Sequence, residues 1–390
     1  MTTRMTPSKA TAGIESSIAF VDCQMTEAAR SQAGTTNAMA SGSPSRQKRA
    51  MPGGDPHGRR KVHVKGRRTK VVDVHAHCAV AEAMALMGMT LGAPGASTRP
   101  DLSVVTHLSE RLRAMDEQEI DVQALSINPY WYEAERDLAE QIIRIQNEKL
   151  AEVCAAHPER FVAFATVALQ HPDLAARQLE EGVRKYGLRG AAIGGSVNGE
   201  EISDPKFNPF WKKAEDLGVL IFIHPQPAGA TNTLASRLTG NGFLENVIGY
   251  PLETTIALSH LIFEGTLDRF PGLRICAAHG GGFLPSYAAR SDRGCLTLPA
   301  RCSGGTYGGI KKKPSEYLRQ MYYDTMVFTA EGLRHLAAEV GASQLVLGTD
   351  FPYPWTKTAV EHVLSTRGLT DIQKADILGK TAAKLLGIDE

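Results

Sequence analysis

His75-Ala76-His77 ends a short apolar run, Val71-Val72-Asp73-Val74. In an extended strand, side chains two apart point to the same face, so both imidazoles aim at one point. Imidazole is the commonest protein ligand for zinc and related divalent metals. The competing interpretation of an isolated pair is one exposed and one packed histidine. Three later segments repeat the pattern of an apolar run that ends in a ligand-type residue. Val219-Leu220-Ile221-Phe222-Ile223 runs into His224 and Pro225. Leu273-Arg274-Ile275-Cys276-Ala277-Ala278 runs into His279 and three glycines, Gly280, Gly281 and Gly282. Leu345-Val346-Leu347-Gly348-Thr349 runs into Asp350 and then Phe351-Pro352.

Taken together, His75, His77, His224 and Asp350 form a mixed nitrogen and oxygen set suited to one divalent ion, zinc first and manganese second. No thiolate is positioned among them, as a closed structural zinc site would usually require. A position left open for water or substrate is what catalysis needs. His279 is surplus to that set and free to act as a general acid/base, with Asp350 a second candidate for moving a proton. The other strand-independent histidines, His107, His157, His171, His260, His335 and His362, read as ordinary core or surface residues. No organic cofactor is expected.

Residues from distant parts of the chain meet only if the fold places them together. The apolar runs are short, aliphatic and bounded by Gly or Pro, as strands buried on both faces are. Eight strands are expected, at 71–74, 122–127, 161–167, 190–193, 219–223, 273–278, 321–324 and 345–348. Helical patterns fall between them at 133–156, 174–186, 207–217, 252–264 and 331–340, with a short helix at 283–290. This alternation predicts parallel βαβ units closed into a (β/α)8 TIM-like barrel, in which catalytic groups gather at the C-terminal strand ends. An open doubly wound sheet would not easily unite His75 with Asp350.

Composition narrows the surroundings. Of the 390 residues, 43 Lys and Arg nearly balance 42 Asp and Glu, which gives no electrostatic case for a nucleic-acid partner. No apolar stretch approaches the length that spans a bilayer, so no membrane association is expected. The six cysteines, Cys23, Cys78, Cys154, Cys276, Cys295 and Cys302, form no CxxC pair and no regular framework. Cys154 and Cys276 sit in apolar contexts, which suits reduced thiols and a cytoplasmic location. Residues 1–68 are rich in Ser, Gly, Pro, Lys and Arg and poor in large apolar residues, so they are expected to be a disordered extension. Met39 and Met51 are alternative starts within it. The barrel domain is assigned to residues 69–390.

The paired histidines, the histidines after the fifth and sixth strands and the aspartate after the eighth resemble the pattern of the amidohydrolase superfamily. Local wording is similar to the branch around aminocarboxymuconate semialdehyde decarboxylase. It includes Arg113-Ala114-Met115-Asp116, Val122-Gln123-Ala124-Leu125-Ser126, Pro251-Leu252-Glu253-Thr254-Thr255, Phe270-Pro271-Gly272-Leu273-Arg274 and Leu347-Gly348-Thr349-Asp350-Phe351-Pro352. The resemblance runs in order through nearly all of the chain after residue 70. It implies metal ligation by His75, His77, His224 and Asp350 and an acid/base role for His279. It also implies that Arg290 reaches the carboxylate of a substrate held by a neighbouring subunit, in a homodimer or higher homo-oligomer.

Two departures bear on the substrate. After His224 the named decarboxylase carries Pro-Trp-Asp-Met, whereas this chain reads Pro225-Gln226-Pro227-Ala228-Gly229. An arginine expected after the first strand has no match in register, Arg99 being near it. Aminocarboxymuconate semialdehyde itself is therefore not assigned. The resemblance implies non-oxidative decarboxylation of an aromatic or unsaturated hydroxy or amino carboxylic acid in aromatic catabolism. Hydrolysis or hydration of an amide, lactone or ring-cleavage product is the alternative on the same fold. A non-catalytic metal-binding protein is the alternative of another class.

Overall fold

The computed structural model describes residues 61–89, 107–226, 235–303 and 309–389. All eight expected strands are present: β1 (Val72–His77), β2 (Val122–Ser126), β3 (Phe161–Ala163), β4 (Gly190–Gly194), β5 (Leu220–His224), β6 (Arg274–Ala277), β7 (Tyr322–Asp324) and β8 (Leu345–Val346). Every neighbouring pair is parallel. β1 to β3 form one ladder and β4 to β8 another, in chain order. Two single bridges join the ladders, Ala165 with Ala191 and Ala76 with Phe351. Across the second seam Val74 N–H donates to the Leu347 carbonyl at 2.9 Å and Asp350 N–H donates to the His75 carbonyl at 2.8 Å. The sheet thus closes into a barrel.

Several strands are shorter than their apolar runs. β8 stops at Val346 because Leu347 N–H donates to the Ile377 carbonyl, outside the sheet, and Gly348 N–H turns to the Thr325 hydroxyl. Five helices match the expected positions within a few residues, α2 (Arg136–Ala156), α3 (Pro172–Arg184), α4 (Asn208–Leu217), α5 (Tyr250–Phe263) and α7 (Ala330–Val340), whereas α1 (Leu108–Glu117) was not expected and α6 (Ala288–Thr297) begins later than the helix expected there. One apolar cluster fills the barrel, with Val74, Val122, Phe164, Phe222, Cys276 and Val346 among its members. Ala382, Ala383, Leu385 and Leu386 of α8 (Thr381–Leu386) pack into the same cluster. A second, larger cluster lies between strands and helices.

Strict alternation along β1 would place His75 and His77 opposite to Val72 and Val74. The β1–β2 register shifts between Asp73 and Ala76, so that His77 pairs with Ser126 while Val72 pairs with Val122. This irregularity re-phases the strand, as a bulge does. Val72 and Val74 join the inner cluster and the two imidazoles still face the barrel axis.

Three expectations are corrected. Residues 61–68, assigned to a disordered extension, include the hairpin His63–Val64 with Arg67–Arg68, and Val62 and Val64 join the buried core. Apolar Val at alternate positions, in a segment dominated by Lys and Arg, supplies that anchor. Residues 1–60 lie outside the described residues. The short helix expected at 283–290 is instead a 3-10 turn, Pro285–Tyr287, followed by α6, so Arg290 lies in the first turn of a longer helix. Cys295 and Cys302 form a disulfide between α6 and the helical turn Pro299–Ser303. Cys78, Cys154 and Cys276 are free. Among the described residues, no helix is long and apolar enough to cross a membrane.

Candidate metal centre

The C-terminal ends of β1, β5 and β8 bring His75, His77, His224 and Asp350 together, each buried, with one ligand-type atom apiece within 4.8 Å of all the others. His75 Nε2 lies 3.0 Å from His77 Nε2. Asp350 Oδ1 lies 2.8 Å from His77 Nε2 and 3.1 Å from His75 Nε2. Gly348 allows this approach, since a Cβ there would stand 3.0 Å from the Cβ of His75 and 2.7 Å from that of Asp324.

The opposite ring nitrogens are each occupied. His75 Nδ1 donates to Asp324 Oδ2 at 2.6 Å. His77 Nδ1 lies 3.1 Å from the Ser126 hydroxyl, and His224 Nδ1 donates to the Pro225 carbonyl at 2.9 Å. Such outer contacts fix ring orientation and tautomer in metal sites. They leave three Nε2 atoms turned toward one carboxylate oxygen. His224 Nε2 is buried without a partner in the protein. Convergent lone pairs around an orphaned buried nitrogen fit a divalent cation.

Burial and the neighbouring charges act unequally on the four groups. Three imidazoles in one buried volume cannot all be protonated. Burial pulls His77 down to about 4 against the opposing attraction of Asp350. His224 falls well below its usual range through burial and the nearby His77 and His75. Burial also acts to lower His75, but Asp350 and Asp324 outweigh it and push the group up to about 10. Asp350 is held well below the usual carboxylate range because His75 and its neighbours overcome the effect of burial.

His279 follows β6 and does not join the ligand-type set. Its Nε2 lies 3.7 Å from Asp350 Oδ2, and its Nδ1 is buried with no partner in the protein. Both His279 and Asp350 have left-handed backbone, φ 53° and 59°. Such geometry in non-glycine residues costs about 1–3 kcal/mol and collects at functional sites. Arg290 is exposed on α6 and is not brought to this centre within one chain. Arg99 and residues 227–234 lie outside the described residues.

Sequence reasoning missed the groups behind the ligands. Asp324, at the end of β7, accepts from His75 Nδ1 and from the backbone N–H groups of His279 (3.0 Å) and Gly280 (2.8 Å). Its signal was present, an apolar run closing on a carboxylate. Asp73 accepts from Gln123 Nε2 (2.8 Å), the Thr349 hydroxyl (2.6 Å) and His75 N–H (3.1 Å), tying β1 to β2 and to the segment after β8. Fully buried Arg111 extends this network, donating to Gln123 Oε1 and to the His77 carbonyl at 2.8 Å each. No local pattern marks Arg111, which comes from a helix and acts through the sheet.

Residues 72–388 match the family model described as amidohydrolase. The chain belongs to the amidohydrolase family. Among its relatives, the 2-amino-3-carboxymuconate-6-semialdehyde decarboxylase of Dictyostelium discoideum is 29% identical over 72% of this chain and 76% of its own length. The gamma-resorcylate decarboxylase of Rhodococcus jostii (strain RHA1) is 30% identical over 72% of this chain and 87% of its own. Among solved structures, a dihydroxybenzoic acid decarboxylase from Polaromonas sp. JS666, with bound manganese and the inhibitor 2-nitroresorcinol, superposes with a TM-score of 0.70 at 25% identity. That match covers 83% of this chain and 98% of the other.

Glu253 of α5 packs its carboxyl against the end of β4, where a Cβ at Gly195 would come within 2.3 Å of Oε2. Oε1 accepts from the Ser196 hydroxyl at 3.1 Å, and burial pushes the group up to about 8 from an ordinary 4.5. A carboxyl whose folded value is raised contributes stability that is full below the unfolded value and is lost as pH rises through the folded one. The window is therefore pH 4.5 to about 8. Between about pH 6 and pH 9, Glu253→Gln is expected to gain about 1–3 kcal/mol on the wild type in denaturant titrations. A difference that does not vary with pH would show that the carboxyl ionises normally.

Proposed function

We propose that this amidohydrolase is a metal-dependent, non-oxidative decarboxylase of an aromatic or unsaturated carboxylic acid that bears a hydroxyl or amino group. One observation carries the reading: three imidazoles with anchored Nδ1 atoms converge on Asp350, and a fourth, His279, stands beside it outside the ligand set. The decarboxylases among the relatives support it. His75, His77, His224 and Asp350 are assigned as ligands of one divalent ion. The three-nitrogen, one-oxygen donor set favours zinc, and the manganese in the Polaromonas decarboxylase makes that ion the alternative. Bound there, the cation supplies a Lewis acid that orients and polarises the substrate carboxylate and its neighbouring hydroxyl or amino group.

The protein's own part is to position groups and move a proton. When the C–C bond to the carboxylate breaks, carbon dioxide leaves and the electron pair stays on the substrate carbon. A proton must arrive at that carbon. His279 is assigned as the donor, and its backbone is pinned by Asp324, the carboxylate that also anchors His75. Asp350 Oδ2, 3.7 Å away, is the second place where that proton can reside.

Arg290 is assigned to substrate carboxylate recognition across a homodimer interface. Its nearest sequence acid, Asp292, already accepts from the N–H and hydroxyl of Ser315 at 2.9 and 2.7 Å. Tyr287, Leu296 and Leu298, on or beside the same helix, are 57%, 68% and 61% exposed, apolar side chains that suit burial against another copy. A guanidinium presents paired donors to a carboxylate.

His75→Ala and Asp350→Ala should each lose bound metal and activity together, as read by elemental analysis. His279→Ala should keep its metal and lose about 10²–10⁴ in turnover. Hydroxybenzoates, aminobenzoates and muconate semialdehydes should release carbon dioxide with the metal-loaded protein. Release of ammonia, or appearance of a new acid group without carbon dioxide, would reassign the enzyme as a hydrolase.

The dimer assignment has its own test. Mixing inactive His279→Ala with inactive Arg290→Ala should restore part of the activity, because one site of the mixed dimer then receives both wild-type side chains. No rescue after confirmed subunit exchange would place Arg290 outside the reaction.

A further inference from the structure

The turn after Asp350 folds back onto the aspartate itself. Tyr353 N–H donates to the Asp350 carbonyl and Trp355 N–H donates to the Tyr353 carbonyl, each at 2.9 Å. The Trp355 indole then donates from Nε1 to Asp350 Oδ2 at 3.0 Å. The two oxygens of this carboxylate are thereby divided. Oδ1 faces His75 and His77, and Oδ2 faces the indole and His279. The indoles of Trp131 and Trp211 instead donate to backbone carbonyls, those of Val167 and Ile202.

The Trp355 ring is held from three directions. Its centroid lies 4.9 Å from Tyr353, 5.5 Å from Phe328 and 6.5 Å from Phe243. Phe328 follows β7 and Phe243 precedes α5, so separate loops supply the cage. Both have left-handed backbone, φ 55° and 56°, which for a bulky aromatic residue is a genuine outlier. Strain of this kind persists where the surrounding structure over-determines it. Here it brings two rings to the indole that touches Asp350.

We propose that Trp355 is a positioning residue. Its N–H stops the Asp350 carboxylate from rotating, keeping Oδ1 with the histidines and Oδ2 beside His279. The proposal rests on the metal-ligand assignment above and not on which reaction the centre performs.

The decisive measurement is the affinity of the full-length, metal-stripped protein for Mn2+ alone, by calorimetry or by the electron paramagnetic resonance signal of free Mn2+. Trp355→Phe keeps a ring in the cage and removes only the donor. Loss of one such outer contact to a metal ligand should weaken Mn2+ binding by about 10-fold. The thermal midpoint of the metal-free protein should stay the same, a separation that a merely structural role would not produce. With a turned-over substrate, kcat should fall more than KM rises. Phe328→Ala, which loosens the ring but keeps the N–H, should weaken Mn2+ binding by a smaller factor. In the Trp355→Phe background it should add nothing, since residues that act through one contact are not additive.

Wild-type Mn2+ affinity in Trp355→Phe, or full additivity of the two substitutions, overturns the proposal. Should Trp355→Phe fail to fold, Phe328→Ala decides alone, and unchanged Mn2+ affinity there overturns it. A wild-type protein that binds neither Mn2+ nor Zn2+ overturns this proposal together with the metal assignment, and for one that binds Zn2+ alone the same variants are decided by their Zn2+ affinities. One that binds Mn2+ but releases no carbon dioxide overturns only the decarboxylase reading, and the Mn2+ affinities still decide the role of Trp355.

Discussion

The contact on which the centre depends is the short one between His75 Nδ1 and Asp324, 2.6 Å long and wholly buried. It fixes which nitrogen of His75 faces the barrel axis. The same carboxylate oxygen accepts the backbone N–H of His279 and so sets the left-handed turn that presents that side chain. A single oxygen of β7 therefore orients a ligand-type residue of β1 and the spare imidazole of β6. Asp324 stays below the usual carboxylate range despite burial, held there by His75. An isolated buried carboxylate would neutralise instead.

Around this contact the polar groups are layered. Asp350, Asp324 and the imidazoles occupy the barrel axis, while Asp73, Gln123, Thr349 and Arg111 form a second network between β1, β2 and the segment after β8. That outer network spans the seam where the barrel closes through a single bridge, Ala76 with Phe351. Arg111 stacks over Phe351 with its guanidinium carbon 4.8 Å from the ring centroid while it holds the His77 carbonyl. Burial lowers its guanidinium to about 10, still in the cationic range at neutral pH. Buried polar networks restrict the geometry of the groups they join.

Arg290 and the exposed Tyr287, Leu296 and Leu298 lie on or beside α6, whose C-terminal end the Cys295–Cys302 disulfide ties to the following helical turn. In barrels of this type, groups at strand ends carry the chemistry, while the connecting segments vary more.

Much of this was legible along the chain. Eight short apolar runs gave the strand count and order, and the residues closing four of them, His75-Ala76-His77, His224, His279 and Asp350, came together at one end of the barrel. Such features are local: period, boundary residues and ligand type can be read without knowing what lies opposite. The inward rotation of His75 and His77 was not legible, because it depends on a register shift against β2 that alternation along β1 contradicts. Nor were the partners of the ring nitrogens, the anchoring of His279 by Asp324, the reach of Arg111 from α1 or the disulfide between Cys295 and Cys302. Each joins groups whose separation along the chain carries no periodic signal. The ligand types and their strand ends are properties of the sequence. Which atom of each turns toward the others, and with what hydrogen-bond partners, was decided by packing from strands and helices that the barrel brings alongside.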